Sequence, residues 1–269
     1  MQPPQNYAQY PRGQVGPGRP YRGPGVYLDY ITESFQIVTR NAGVYVLGSL
    51  IIIAIVYAIN IPVSLLSNTI AYGSPLGTPR ATRPEDFLPM MAKAFPISMV
   101  ASIIPGAVMQ TLSTGIALCA IEEADTGTTT LGTLFSGFKC FVPLIGTSFL
   151  FQIFSLVGLC LCIVPFFFIA GLLCFAPIIV VKEGLGPIAA VQRSVELLSP
   201  FWLAMGGFYF LASLVGGLGI CACIVGFIFT MPILYVCIGL HYREFRGPLN
   251  PGFQVGSPAV PPYDQPPGR

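Results

Sequence analysis

Residues 141–181 read FVPLIGTSFLFQIFSLVGLCLCIVPFFFIAGLLCFAPIIVV, and residues 201–240 read FWLAMGGFYFLASLVGGLGICACIVGFIFTMPILYVCIGL. Neither run holds a charged side chain. A helix needs about 20 apolar residues to cross a hydrocarbon core of about 30 Å. Runs of 41 and 40 residues are therefore each two crossings long. Each predicts a hairpin, with breakers where the turn belongs: Gly158 to Pro165 in the first, Gly216, Gly217 and Gly219 in the second. Two more charge-free blocks, 42–66 and 97–121, are one crossing each. The expected fold is an all-α integral membrane protein of six transmembrane helices. The spans fall at about 42–66, 97–121, 141–159, 163–181, 201–217 and 220–240.

Composition supports the same class. The chain of 269 residues is 54% hydrophobic and only 9% charged, against roughly 25% charged in an average soluble domain. So few charges cannot cover a water-soluble globule of this size. Mean hydropathy is +0.73. A net charge of +2 from 13 basic and 11 acidic residues provides no broad basic field for a polyanion, so no nucleic-acid partner is expected.

Pro and Gly crowd both ends, in Gly16-Pro17-Gly18-Arg19-Pro20 and in Pro261-Pro262-Tyr263-Asp264-Gln265-Pro266-Pro267. Residues 1–26 and 247–269 have few large aliphatics to offset the entropy of ordering, and both are expected to be disordered tails. Residues 27–246 form the membrane domain. About 40 polar or Pro/Gly-rich residues precede the first apolar run, so no signal peptide is expected here. Six spans place both tails on one side. Arg22, Arg40, Lys139, Lys182, Arg193, Arg243 and Arg246 share that side, against Arg80, Arg83 and Lys93 opposite. The basic excess predicts a multi-pass cell-membrane protein with both termini cytoplasmic.

The long blocks echo each other. Ser155-Leu156-Val157-Gly158 and Cys160-Leu161-Cys162-Ile163-Val164-Pro165-Phe166 match Ser213-Leu214-Val215-Gly216 and Cys221-Ala222-Cys223-Ile224-Val225-Gly226-Phe227. The segments preceding the odd-numbered spans also agree. Leu28, Ile31, Phe35 and Val38 recur at helical spacing, as do Leu131, Leu134, Phe138 and Phe141, and Ile188, Val191, Val195 and Leu198. Arg40, Lys139, Arg193 and Glu196 sit on their polar backs. An apolar stripe with a polar back, leading into a span, predicts a short amphipathic interfacial helix. Packed cytosolic connectors are the rival reading. The charges on these backs are expected to pair between copies, Glu33 or Glu196 with Arg40, Lys139 or Arg193.

Motifs for chemistry are sparse. Cys160, Cys162, Cys221 and Cys223 form two C-x-C pairs at equivalent turns. Cysteine in a span is first a small packing residue. Four thiolates brought together would instead form disulfides or hold a soft metal, yet no His or carboxylate lies nearby in sequence, and no cofactor is expected. His241, the single histidine, reads as an interface residue at the end of the last span. Glu122, Glu123 and Asp125 read as a solvated helix end. Without an ionisable group inside a span, a proton-driven transporter or pump is disfavoured. Pro62, Pro105, Pro177 and Pro232 should kink or interrupt helices, and Trp202 takes an interfacial anchor position.

The run Ala176-Pro177-Ile178-Ile179-Val180-Val181-Lys182-Glu183-Gly184, followed by Gly186-Pro187-Ile188-Ala189-Ala190-Val191-Gln192-Arg193-Ser194, resembles the membrane domain attached to some bacterial glycerophosphoryl diester phosphodiesterases. It also resembles related stand-alone multi-spanning proteins of unknown function. The likeness covers roughly residues 130–247 and implies a polytopic membrane domain. It implies no phosphodiesterase activity, because a catalytic barrel of about 250 residues has no room here, and it carries no catalytic residue onto this chain.

The expected function is therefore non-enzymatic: an accessory or scaffold domain of the bacterial cytoplasmic membrane that contacts lipid or another membrane protein. The alternative is a carrier or channel for a small neutral or amphiphilic solute. A polar cavity lined by Asn60, Gln110 or Gln152 from different spans would favour the carrier. A core of Leu, Ile and Phe would favour the scaffold.

Overall fold

A computed structural model describes residues 22–75, 84–160, 163–221 and 223–246. Within them every regular element is helical: α1 (Asp29–Arg40), α2 (Ala42–Tyr72), α3 (Pro84–Ala101), α4 (Ile103–Thr126), α5 (Leu131–Leu134), α6 (Phe141–Cys160), α7 (Ile163–Leu173), α8 (Ala176–Glu183), α9 (Pro187–Leu198), α10 (Trp202–Cys221) and α11 (Cys223–Arg246). Five helical stretches among the described residues are long and apolar enough to cross a membrane: Ala42–Tyr72, Ile103–Thr126, Leu131–Gly158, Pro165–Glu183 and Pro187–Gly217. The tails 1–21 and 247–269, and the side chains of Cys160, Cys162, Cys221 and Cys223, lie outside the described residues.

Helix α4 is the central element. It packs against α2, α6 and α11, while α6 lies on α7 and α10 on both α7 and α11. Ala107, Leu112, Ile116, Leu118, Ala120 and Ile121 of α4 are all buried. By contrast α2 turns Leu47, Tyr57, Ile61, Leu66 and Ile70 outward. An apolar centre inside an apolar perimeter is the distribution that suits a hydrocarbon surrounding.

Glycine sets how closely α4 is approached. At Gly115 a Cβ would collide with the Leu134 carbonyl, and at Gly239 of α11 it would lie 2.5 Å from the Ala117 carbonyl oxygen. Both neighbours therefore reach the α4 backbone only because these two side chains are missing. The α5 segment is pressed against α4 in consequence.

Several expectations change at the helix ends. The span expected at 97–121 is broken at Ser102, between α3 and α4. Pro105 stands in the first turn of α4 and Pro177 in that of α8, where a missing N–H costs no hydrogen bond. Pro177 thus starts a helix after the break at Cys174 and Phe175. Pro62 and Pro232 lie inside α2 and α11. The amphipathic helix expected at 131–141 is one α-helical turn followed by a 3-10 turn over Ser136–Cys140.

Helices α1 and α9 do form where expected, with their own pattern of burial. Leu28 and Phe35 beside and on α1, and Ile188 of α9, are exposed, whereas Tyr30, Ser34 and Ile37, and Ala190, Ser194 and Leu198, are buried. The face turned to the protein mixes small and hydroxyl side chains with Ile37, Val38 and Leu198, so the expected stripes are split between the protein and the outside. Ser194 donates to the Leu172 carbonyl at 2.6 Å, and Ser34 lies 3.0 Å from the Cys237 sulfur.

Candidate functional site

Two polar constellations stand out against the apolar body, one at each end of α4. The first gathers where α4 and α11 finish. Glu123 is buried, and its carboxylate accepts from the Arg40 guanidinium and, at 2.9 Å, from the Tyr45 hydroxyl. Asp125 accepts from Arg243 Nε at 2.6 Å and Arg246 Nη2 at 3.0 Å. Arg243 also reaches Glu244 Oε1 at 3.3 Å. Glu122 takes the hydroxyls of Thr129 at 3.1 Å and Thr133 at 2.5 Å, which folds the turn after α4 back on the helix.

The end of α11 holds the segment that precedes α1. Glu244 Oε2 accepts the backbone N–H of Arg22 at 2.6 Å and of Gly23 at 3.0 Å. His241 Nε2 accepts the Tyr27 N–H at 3.0 Å, and its Nδ1 lies 2.8 Å from the Cys237 carbonyl. The ring is therefore a neutral tautomer with its proton on Nδ1. Burial pushes its pKa down to about 4. Arg22 closes the strap, pairing with Asp29 at 2.6 Å while its guanidinium stands 4.2 Å above the Tyr27 ring. Arg22 and Gly23, expected within the disordered tail 1–26, are instead held by Glu244.

These contacts replace the sequence reading of His241 and the acidic trio. His241 is fully buried, and Glu123 and Asp125 are bound by arginines instead of solvated. The pairing expected between copies of the amphipathic segment is also corrected. Arg40 goes to Glu123 of α4, and Arg193 pairs with Glu196 of its own helix at 3.6 Å. Helix α1 packs on α11 and α2, and α9 on α6, α7 and α8. Lys139 ends the 3-10 turn as an exposed residue.

The second constellation is a cleft of about 540 Å³ among α2, α3, α4, α6 and α7. Its walls are apolar, from Val56, Phe95, Met99, Met109, Leu156 and Phe166. Four polar side chains line it: Asn60, Ser102, Gln152 and Ser155. Gln152 Oε1 accepts from Ser102 at 3.3 Å, and Asn60 Oδ1 from Ser64 at 3.0 Å. Ser155 Oγ is buried without a hydrogen-bond partner among the described residues. Gly106 makes room for the Gln152 amide, since a Cβ there would lie 2.7 Å from Nε2. Gln110 does not line the cleft; its buried Oε1 also lacks a partner among the described residues.

Comparison with known family models, with curated proteins and with solved structures finds no match for this chain. Its chemistry must be read from its own residues. Among those described, no three metal-ligating side chains come together.

Proposed function

We propose that this chain is a non-enzymatic integral membrane protein, an accessory or scaffold domain of the bacterial cytoplasmic membrane. It crosses six times as three hairpins, with both termini cytoplasmic and with α1 and α9 lying at the interface. The observation that carries this reading is the separation of charge from apolar surface. The Arg40–Glu123, Arg243–Asp125 and Arg246–Asp125 pairs collect at one end, on α1, α4 and α11, while the outward faces of α2, α6 and α10 carry large apolar side chains. The sixth crossing is α11, whose stretch 223–240 carries no charge and whose 24 residues extend about 36 Å at ~1.5 Å per residue.

Further support comes from the hairpin turns. A Cβ at Gly158 would meet the Phe166 Cα at 2.8 Å, and one at Gly219 the Gly226 carbonyl oxygen at 2.8 Å. Each of the last two hairpins is thus closed by a glycine, although the sequence match pairs Gly158 with Gly216 and not with Gly219. The exposed Leu28, Phe35 and Ile188 suit a bilayer surface, while Val38 and Leu198 of the same stripes are buried in the protein.

Topology reporters test this directly. Fusions after Arg40, within 67–96, and after Arg246 should report inside, outside, inside. A cytoplasmic signal from 67–96 overturns the arrangement. A second reading, a carrier for a small neutral or amphiphilic solute, is favoured by one observation: Asn60 and Gln152 come from different helices to line the same cleft.

A further inference from the structure

We infer that residues 1–21 and 247–269 act together as one bivalent docking element for a cytoplasmic protein whose aromatic-lined grooves read polyproline-II segments. The two tails join the fold at one place and carry the same proline motif. The side of the membrane rests on the topology proposed above; the pairing of the tails does not.

Described contacts fix the place where the tails leave. Glu244 Oε2 holds the backbone N–H groups of Arg22 and Gly23, at 2.6 and 3.0 Å, so the first tail joins the fold beside the end of α11. The second follows Arg246, two positions beyond Glu244 on the same helix and held by Asp125 at 3.0 Å. Chains of 21 and 23 residues reach at most about 70–80 Å at ~3.3–3.6 Å per residue. From a shared starting point, a partner within reach of one tail is within reach of the other.

The tail sequences define the partner. Gln14-Val15-Gly16-Pro17 is echoed by Gln254-Val255-Gly256-Ser257-Pro258. Each echo opens a P-x-x-P run, Pro17-Gly18-Arg19-Pro20 and Pro258-Ala259-Val260-Pro261, and a tyrosine follows each run, Tyr21 and Tyr263. A polyproline-II helix has three residues per turn, so prolines at i and i+3 share one face. Other modes of docking are excluded by the same residues. A helix laid in a groove uses anchors at i, i+3, i+4 and i+7, whereas neither tail runs more than six residues without a proline. Strand addition uses backbone N–H groups that proline lacks. Arg12, Arg19, Asp264 and Arg269 are the charged side chains of the two tails, too few and too mixed in sign to hold a polyanion or an anionic membrane surface. Two linked copies of a weak motif raise affinity by about 10²–10⁴ over one.

The test uses the full chain in native membranes. A photo-reactive phenylalanine analogue replaces Tyr21 in one protein and Tyr263 in another. Both should cross-link to the same cytoplasmic protein. A ten-residue polyproline peptide should suppress both adducts, and a Gly-Ser peptide of equal length neither. With that partner purified and added back, Pro17→Ala with Pro20→Ala should raise the concentration needed for cross-linking at Tyr263 by about 100-fold, although the substitutions lie in the other tail. Pro258→Ala with Pro261→Ala should do the same at Tyr21. Unchanged thermal unfolding of both variants separates lost docking from lost fold. The inference is overturned by no adduct, by adducts to lipid, nucleic acid or a second copy of this chain, or by adducts that polyproline leaves intact. Different proteins at the two positions, or substitutions that act only within their own tail, overturn it as well. Protease added to sealed right-side-out vesicles reports on the topology alone: tails cut from outside refute the cytoplasmic placement, whatever the cross-links show of the pairing.

Discussion

The backbone N–H of Arg22 donates to Glu244 Oε2 at 2.6 Å, across 222 positions of the chain. The segment before the first helix is thereby fastened to the last turn of the last one. Gly23 adds a second N–H to the same oxygen and Tyr27 a third to His241. A carboxylate receiving backbone N–H groups makes stronger hydrogen bonds than a neutral acceptor.

Glu244→Ala should free this strap while leaving Arg243 on Asp125. Trypsin cleavage after Arg22 in detergent-solubilised protein is the readout. The expected result is faster cleavage there in the variant, with the membrane core still resistant. An unchanged cleavage rate would mean that the strap is held by something other than Glu244.

The Asp125 cluster should matter far more to stability than the surface pair. Asp125→Ala leaves the Arg243 and Arg246 guanidiniums, 4% and 17% exposed, without their shared carboxylate. Leaving a buried charge wholly uncompensated costs about 3–5 kcal/mol, and because Arg243 keeps Glu244 Oε1 at 3.3 Å the loss here is at the lower end of that range or below it. The Arg193–Glu196 side chains are 49% and 68% exposed, and such pairs contribute about 0–1 kcal/mol. Thermal unfolding in detergent should therefore fall steeply for Asp125→Ala and barely move for Arg193→Ala. Similar melting temperatures for the two would contradict the buried network.

His241 should make the strap acid-sensitive. Its pKa is pushed by burial from 6.5 to about 4, so between these values the unfolded chain binds the proton and the folded one does not. Stability therefore falls as pH drops from about 6.5 to about 4, by at most roughly 3 kcal/mol. Below that window this contribution levels off. Protonated Nε2 can no longer accept the Tyr27 N–H, so the strap loosens as the group titrates. Melting temperatures at pH 7 and pH 4.5 should differ more for wild type than for His241→Gln. An identical pH response in the variant would remove His241 from the account.

Apolar helices were legible because charge-free length is a property of composition alone. The interruptions were not, since Ser102 and Phe175 carry no strong breaker signal by themselves. Pro105 and Pro177, three and two positions further on, mark first turns, and that asymmetry was available in the sequence. The buried ionic end was also within reach. Glu122-Glu123 with Asp125 ends the second expected span, and Arg243 with Arg246 ends the sixth, so a six-span topology already puts opposite charges on one side. Reading each cluster separately as solvated hid their complementarity. The cleft was half legible: Asn60 and Gln152 were candidates from their polarity, but helix rotation turned Gln110 away from them, and composition carries no information on rotation.

The α4–α11 contact provides the last prediction. Gly239 packs so that a Cβ would sit 2.5 Å from the Ala117 carbonyl oxygen, with further α4 backbone atoms at 3.1 Å. Backbone cannot move aside as a flexible side chain does, so Gly239→Ala must push the two helices apart. Overpacking of this kind costs about 1–3 kcal/mol. The displacement would also strain the Asp125–Arg243 pair, which lies about two turns beyond the contact along α4 and about one along α11. Gly207 of α10 is the matched control, because a Cβ there meets nothing within 4 Å. Alanine at that position should be neutral or stabilise by up to about 1 kcal/mol through helix propensity. Thermal unfolding of the two purified variants is the comparison, with Gly239→Ala expected to melt lower than wild type and Gly207→Ala at or above it. Equal melting of all three proteins would show that α11 does not rest on the α4 backbone at Ala117.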